Sequence, residues 1–459
     1  MIHRYQKKGL NFVLDVNSGA VHLLDDISYA VSGLLDENMG DTCPQSIIDA
    51  LTDYTADEIR EAYDELYELK KAGQLFAQDD YIDVSRYIPV NAPVKALCLH
   101  VAHDCNLRCK YCFASTGDFG QGRKIMPPEI AKKAIDFVIA RSGVRHNIEV
   151  DFFGGEPLMA WDTVTQTVDY ARSLEEKHNK KFRFTITTNG LLLDEDKRKY
   201  INENMDNCVL SLDGRREVND EFRKTVAGTG SYDTIVPKFK ALVDERDPNL
   251  DYYARGTFTS HNLDFAEDVL SIADAGFDRL SVEPVTADPG CGYDLTEDDL
   301  PKIEAEYDRL TDIMLERKKE GKPFTFFHFM VDLDQGPCVV KRLRGCGAGY
   351  EYVAVTPDGD IYPCHQFVGK DEFKQGSVLD QSFNMDIAQK FAGMNIYSRP
   401  KCQKCWAKFY CSGGCSAANY NMNHDMNDSY DLGCEMERKR LECAIYLKAM
   451  DKICANQSK

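Results

Sequence analysis

The 459-residue sequence has no apolar run long enough to cross a bilayer, and its start, MIHRYQKKGLNF, lacks the apolar core of a signal peptide. Both absences point to a cytosolic (cytoplasmic) chain with no membrane partner. The chain is also short of positive charge: 55 Lys and Arg against 75 Asp and Glu give a formal charge of −20. A broad phosphate-binding face is therefore not expected, and nucleic acid is a poor partner. What the chain does have is 17 cysteines. In a reducing compartment such a number, clustered as here, points to metal ligands rather than disulfides. The length suffices for a large core and two or three domains.

Residues 1–85 pattern as a hairpin followed by helices. Phe12, Leu14 and Val16 alternate, Asn17-Ser18-Gly19 turns the chain, and Val21 and Leu23 alternate back. Ile27, Ala30, Val31, Leu34 and Leu35 then follow at helical spacing. Thr55 with Glu58 forms a capping box before Ile59, Ala62, Leu66 and Leu69, and Gly73 closes that helix. The pattern is winged-helix-like, yet 6 Lys and Arg against 17 Asp and Glu, a net of −11, would repel DNA. A docking role is what remains. Residues 86–96, with Pro89 and Pro93, read as a linker.

From residue 97 to 325 the pattern becomes strand then helix, repeated six times. Strands are expected at 97–101, 148–153, 182–187, 209–212, 253–258 and 280–283. Ile130, Ala134, Phe137 and Val138 mark one intervening helix, and Asp162 caps another that carries Val164, Val168 and Ala171. Six such units imply an α/β fold, a partial (β/α)6 TIM-like barrel with its chemistry at the C-terminal strand ends.

Cys105, Cys109 and Cys112 directly follow the first strand. A structural zinc site takes four protein ligands, whereas an iron-sulfur cluster with three can hold a second cofactor at its open iron. The CxxxCxxC spacing, with Tyr111 before the last cysteine, resembles that of the radical S-adenosylmethionine (SAM) enzymes. The resemblance implies a [4Fe-4S] cluster on these three cysteines whose unique iron takes the amino and carboxylate groups of SAM. Gly154-Gly155-Glu156-Pro157 ends the second strand; the glycines permit close backbone approach and Glu156 offers an acceptor to a cationic amine. It matches the GGEP motif that meets the SAM amino group in that family. Thr187-Thr188-Asn189-Gly190 and Ser211-Leu212-Asp213-Gly214 end the next two strands with short oxygen side chains suited to ribose hydroxyls. The resemblance gives the SAM carboxylate to Arg223, although a solvated surface arginine would look the same in sequence. Glu283-Pro284 ends the sixth strand, where adenine or ribose contacts belong.

Residues 326–440 are dense in cysteine. Cys346, Gly359 and Cys364 give Cx12Gx4C; Cys402, Cys405, Cys411 and Cys415 follow as Cx2Cx5Cx3C, and Cys434 comes after a gap. This is similar to the seven-cysteine SPASM extension, which carries two auxiliary iron-sulfur clusters. The resemblance assigns Cys346, Cys364 and Cys415 to auxiliary cluster I and Cys402, Cys405, Cys411 and Cys434 to auxiliary cluster II. On spacing alone a zinc knuckle remains an alternative. Gly413-Gly414 is expected to let the backbone pass close to a cluster. Seven cysteines leave cluster I one ligand short: Cys338 either fills that place or leaves it open to a substrate thiol. His365, beside Cys364, stands where related sulfatase maturases carry an aspartate, and reads as a hydrogen-bonding neighbour of the cluster or a proton acceptor. Residues 441–459 read as a C-terminal helix.

Over almost its whole length the chain resembles the thioether-forming radical SAM/SPASM peptide maturases of sactipeptide or ranthipeptide type, especially those acting on SCIFF precursors. The N-terminal region resembles the precursor-recognition element of such enzymes, which binds a leader peptide as an added strand. The resemblance implies SAM and three [4Fe-4S] clusters, a cysteine-rich precursor peptide, and an electron donor such as ferredoxin or flavodoxin. A 5′-deoxyadenosyl radical from SAM would take a hydrogen from the peptide, and a cysteine sulfur would bond to the resulting carbon. Carbon-carbon crosslinking, formylglycine formation, and a non-enzymatic iron-sulfur or zinc scaffold are the alternatives.

Overall fold

The Asn17-Ser18-Gly19 turn forms, and the sheet it belongs to has a further strand in front. In the computed structural model, which describes residues 1–87, 92–333 and 339–457, β1 (Ile2–Lys7), β2 (Leu10–Asp15) and β3 (Val21–Leu24) make an antiparallel sheet in that order. Alternation fails in β2: Phe12, Val13 and Leu14 are all fully buried because both faces are covered. Val13 packs with Val31, Ile59, Ala62, Tyr63 and Leu66 of its own domain, while Phe12 and Leu14 pack with Ile445 and Tyr446 of the chain's last helix. Leu23, on the edge strand β3, is exposed. The first helix is short, Asp26–Ser32, so Leu34 and Leu35 lie beyond it. The Thr55/Glu58 capping box is present, and the helix Ala56–Lys71 is followed by Gly73 in a left-handed conformation. The expected linker is trimmed at both ends, by a helix Tyr81–Tyr87 and by a strand that begins at Ala96; Pro89 lies outside the described residues.

All six barrel strands are present: β4 (Ala96–His103), β5 (Asn147–Gly154), β6 (Lys181–Thr188), β7 (Asn207–Ser211), β8 (Asp251–Phe258) and β9 (Arg279–Pro284). They pair in chain order, each parallel to the next. Leu97, Leu99, Val150, Phe152, Phe184, Leu210 and Val282 form one core with residues of the covering helices, including Ala134, Phe137 and Val138. The helix Trp161–His178 begins just after a 3-10 turn, with Ala160 at its cap. Asp162 therefore does not cap it but sits in its first turn, where a carboxylate suits the helix dipole.

The third region joins this sheet directly. Its strand β10 (Tyr352–Val355) adds to the outer side of β4 in parallel, Tyr352 opposite Ala96 and Val355 opposite Leu99. The chain then turns through Pro357-Asp358-Gly359 into antiparallel β11 (Asp360–Tyr362). Cys346 and Cys364 flank this hairpin, so the cysteine-rich region is tied to the strand that leads into Cys105. The last helix runs unbroken from Asp431 to Gln457, with no Gly or Pro after Gly433, so no boundary falls at 440. Cys434 stands in its first turn. Among the described residues no helix is long and apolar enough to cross a membrane.

Candidate active site

The C-terminal ends of β4 to β9 surround a cavity of about 260 Å3 lined by Cys105, Cys109 and Cys112. Backbone packing at glycines holds this region. A Cβ on Gly154 would lie 2.2 Å from Ala102 O, one on Gly155 2.1 Å from Asp104 O, and one on Gly117 2.7 Å from the Cβ of Cys105. Gly155 N donates to Ala102 O at 2.7 Å and Glu156 N to Asp104 O at 2.9 Å. With those N–H groups spent, the turn's carbonyl oxygens are what it can offer an ammonium group.

Glu156 is not the free acceptor expected of it. Its buried carboxylate accepts from Leu158 N (3.0 Å), Thr188 Oγ1 (2.7 Å) and Asn189 N (2.7 Å), tying the end of β5 to the end of β6. Burial raises its pKa to about 7 against these three donors. Pro157 opens the buried 3-10 turn behind it, and neither residue lines the cavity. Asp213 is likewise spent: it accepts from Tyr111 OH (2.6 Å) and Thr257 N (3.0 Å), and its Oδ2 lies 3.0 Å from Arg223 Nε. It does not face the cavity and offers nothing to a ribose. Its effect is to fix Tyr111 and Arg223, which do line the cavity. Arg223 is buried, so the solvated-arginine reading fails.

Gly154, Gly155, Asn189, Ser211 and Glu283 also line the cavity. Asn189 Nδ2 donates to Asn106 Oδ1 at 2.8 Å and lies 3.6 Å from Cys105 Sγ, bracing the cysteine loop. Glu283 accepts from Arg255 Nη2 at 2.6 Å. Burial would raise its pKa, but Arg255, His328 and Arg440 hold it below its ordinary value. Arg255 and Thr257, on the cavity side of β8, escaped the sequence reading; their signal was alternation with buried Ala254 and Phe258. His365 lines the cavity and an adjoining space of about 510 Å3, with its ring against Phe113 and Phe153. Burial pushes its pKa down to about 4, which makes it a neutral hydrogen-bonding neighbour rather than a strong base.

The donor set fits an iron-sulfur cluster. Burial pushes the thiols of Cys105 and Cys109 up to about 12, so a bound cation is what would keep them as thiolates. They line one cavity, but no three His, Cys, Asp or Glu among the described residues converge on a single-ion point. In the third region Cys364 lies within electrostatic reach of Cys415 and Cys346, and Cys411 within that of Glu437, Cys434, Cys402 and Cys405. Cys338 lies outside the described residues. At Gly413 a Cβ would lie 2.2 Å from Arg399 Nη1, so the missing side chain makes room for a guanidinium.

Residues 99–251 match the family model of the radical SAM superfamily, and residues 346–406 match that of the SPASM iron-sulfur cluster-binding domain. This chain has the radical SAM fold with a SPASM domain. The matches support a radical SAM enzyme that uses SAM and iron-sulfur clusters. The cysteine-type anaerobic sulfatase-maturating enzyme of Clostridium novyi is 25% identical over 72% of this chain and 90% of its own length. The structure of native anSMEcpe with bound AdoMet aligns with a TM-score of 0.65 at 21% identity, covering 80% of this chain and all of that one. Streptococcus suis SuiB bound to the precursor peptide SuiA aligns with a TM-score of 0.52 at 17% identity, covering 93% and 97%.

Proposed function

We propose that this chain is a peptide maturase that forms Cys-to-carbon thioether crosslinks in a ribosomally made, cysteine-rich precursor, with three [4Fe-4S] clusters and SAM as cofactors. The observation that carries the reading is that an acidic three-stranded domain with an open edge is fixed to the same body as the SAM-type cavity and both auxiliary cysteine sets. His3 stacks flat on Trp406 at 3.8 Å, and Lys408 and Tyr397 both donate to Asp79. Among the described residues the edge strand β3 pairs only with β2, which leaves its other side for an extended leader peptide. The likeness to SuiB, bound to a precursor peptide, spans 93% of the chain; that to anSMEcpe leaves a fifth uncovered, comparable in length to this domain.

Cys105, Cys109 and Cys112 would hold the first cluster, and Cys346, Cys364, Cys415 and Cys402, Cys405, Cys411, Cys434 the auxiliary pair. When bound, the first cluster and SAM supply a 5′-deoxyadenosyl radical. The chain's own part is positioning. Arg223, locked by Asp213, presents its charge to a carboxylate; the Gly154-Gly155 turn presents carbonyls to an amine; Tyr111, held by its hydroxyl, walls the cavity. A ferredoxin or flavodoxin would deliver the electron.

The test is co-expression of the full chain with the short cysteine-rich reading frame nearest its gene, followed by reduction, alkylation and mass spectrometry of the peptide. The proposal expects loss of two hydrogens per crosslink with one thiol no longer alkylated. Loss of two hydrogens with every thiol still alkylated would indicate a carbon-carbon bond, and loss of the cysteine sulfur would indicate formylglycine; either overturns the thioether.

A further inference from the structure

Arg399 lies three residues before Cys402, the start of the Cx2Cx5Cx3C run, and is only 3% exposed. Nη1 donates to Gly413 O at 2.5 Å and Nη2 to Ser416 Oγ at 2.9 Å, so the guanidinium is pinned under the loop that joins Cys411 to Cys415. Cys411 belongs to one auxiliary set and Cys415 to the other. Nε has no partner among the described residues. Burial pulls the pKa of Arg399 down, opposed by the charges of Cys402, Cys411, Cys415 and Cys346, two from each set.

Two other cations near these cysteines carry their own counterions. Arg438 reaches Cys405 Sγ at 3.9 Å but pairs with Glu435, and Arg440 pairs with Glu437. Both hydrogen bonds of Arg399 go to neutral acceptors, so its positive charge is left for its surroundings. Burial of a cation without a carboxylate is costly unless something anionic sits close by. Two thiolate-bound clusters would be such anions, and Gly413, which lacks a Cβ, leaves room for the guanidinium against the loop between Cys411 and Cys415.

We propose that Arg399 is a cationic bridge between the two auxiliary cysteine sets, a positioning residue that raises the reduction potentials of both bound clusters together. This rests on the reading that each set holds an iron-sulfur cluster. Reduction adds negative charge to a buried centre, and a fixed positive charge beside it favours the reduced form.

The test is an EPR-monitored redox titration of the iron-reconstituted full-length protein as wild type, Arg399→Gln and Arg399→Lys, with iron and sulfide counted in each. The glutamine variant should shift both auxiliary midpoints downward and leave the signal of the Cys105/Cys109/Cys112 cluster unmoved. The lysine variant, which keeps charge but loses the fork, should stay nearer the wild type. Unmoved midpoints in the glutamine variant, a shift in one cluster only, or equal shifts in both variants would overturn the bridge. If both variants shed auxiliary iron alike, Arg399 is a brace and the proposal falls; if only the glutamine variant sheds it, the charge is what holds the clusters. A wild type with no auxiliary signals would instead overturn the cluster reading beneath it.

Discussion

The two cysteine-bearing regions are built on different principles. Around Cys105, Cys109 and Cys112 the geometry is made by backbone against backbone: Gly154 and Gly155 press on carbonyl oxygens of the preceding strand end, and the nearby carboxylates of Glu156 and Asp213 are consumed as braces. Around the seven later cysteines it is made by buried or half-buried cations, Arg399, Arg438 and Arg440, and by docking against the N-terminal domain. A backbone-made site tolerates almost no added volume. A charge-made site can be tuned by degrees. Under the proposed function, the difference would suit a first cavity that orients one cofactor and a second region that holds and matches electrons.

Breaking the first region should have the largest effects. Cys105→Ala should abolish 5′-deoxyadenosine formation, since two thiolates do not hold a cluster with an open iron; retained formation would refute the assignment. Gly155→Ala drives a methyl into Asp104 O and should cut SAM cleavage by about a hundredfold, as displacement of a catalytic loop by about 1 Å does. Gly393→Ala, where nothing lies within 4 Å, is the matched control and should cost nothing. Cys411→Ala should lose crosslinking and auxiliary iron while keeping SAM cleavage, because the SAM cavity is elsewhere; equal loss of both would merge the two regions into one.

Smaller effects sharpen the comparison. Phe12→Ala removes a fully buried ring from between the N-terminal domain and Tyr446 and should cost about 3 to 5 kcal/mol, read as a lower melting temperature. Deleting residues 1–85 would bare that whole face, so a point change such as Leu23→Asp on the exposed edge is the cleaner probe of peptide docking. The brace Glu156 gives a pH signature. Its folded pKa of about 7 lies above the ordinary 4.5, so between those values the folded chain keeps a proton that the unfolded chain releases. Stability should therefore fall by about 3 kcal/mol as pH rises through that interval. Glu156→Gln should flatten this contribution, and an unchanged slope would contradict the burial argument.

Much of this was legible in the sequence because strand-end motifs are local. The six strands, the capping box at Thr55 and the cysteine spacings all announce themselves within a few residues. What stayed hidden depends on partners distant in the chain. Alternation misjudged β2 because Phe12 and Leu14 face Ile445 and Tyr446, more than 400 residues away. The β10 strand pairs with β4 across more than 250 residues, and only its Pro-Asp-Gly turn was there to suggest a hairpin. Glu156 and Asp213 looked like ligand contacts because a motif gives residue type but not which way a carboxylate points. Gly413 was read for its lack of a Cβ, but the guanidinium that uses the space, Arg399, lies 14 residues away in the chain.

The most direct test of the two-region account is the yield of 5′-deoxyadenosine from SAM, measured anaerobically after reduction on iron-loaded wild type, Cys105→Ala and Cys411→Ala without peptide. The account expects product from the wild type and Cys411→Ala and none from Cys105→Ala. Product from Cys105→Ala, or none from an iron-loaded wild type, would contradict it.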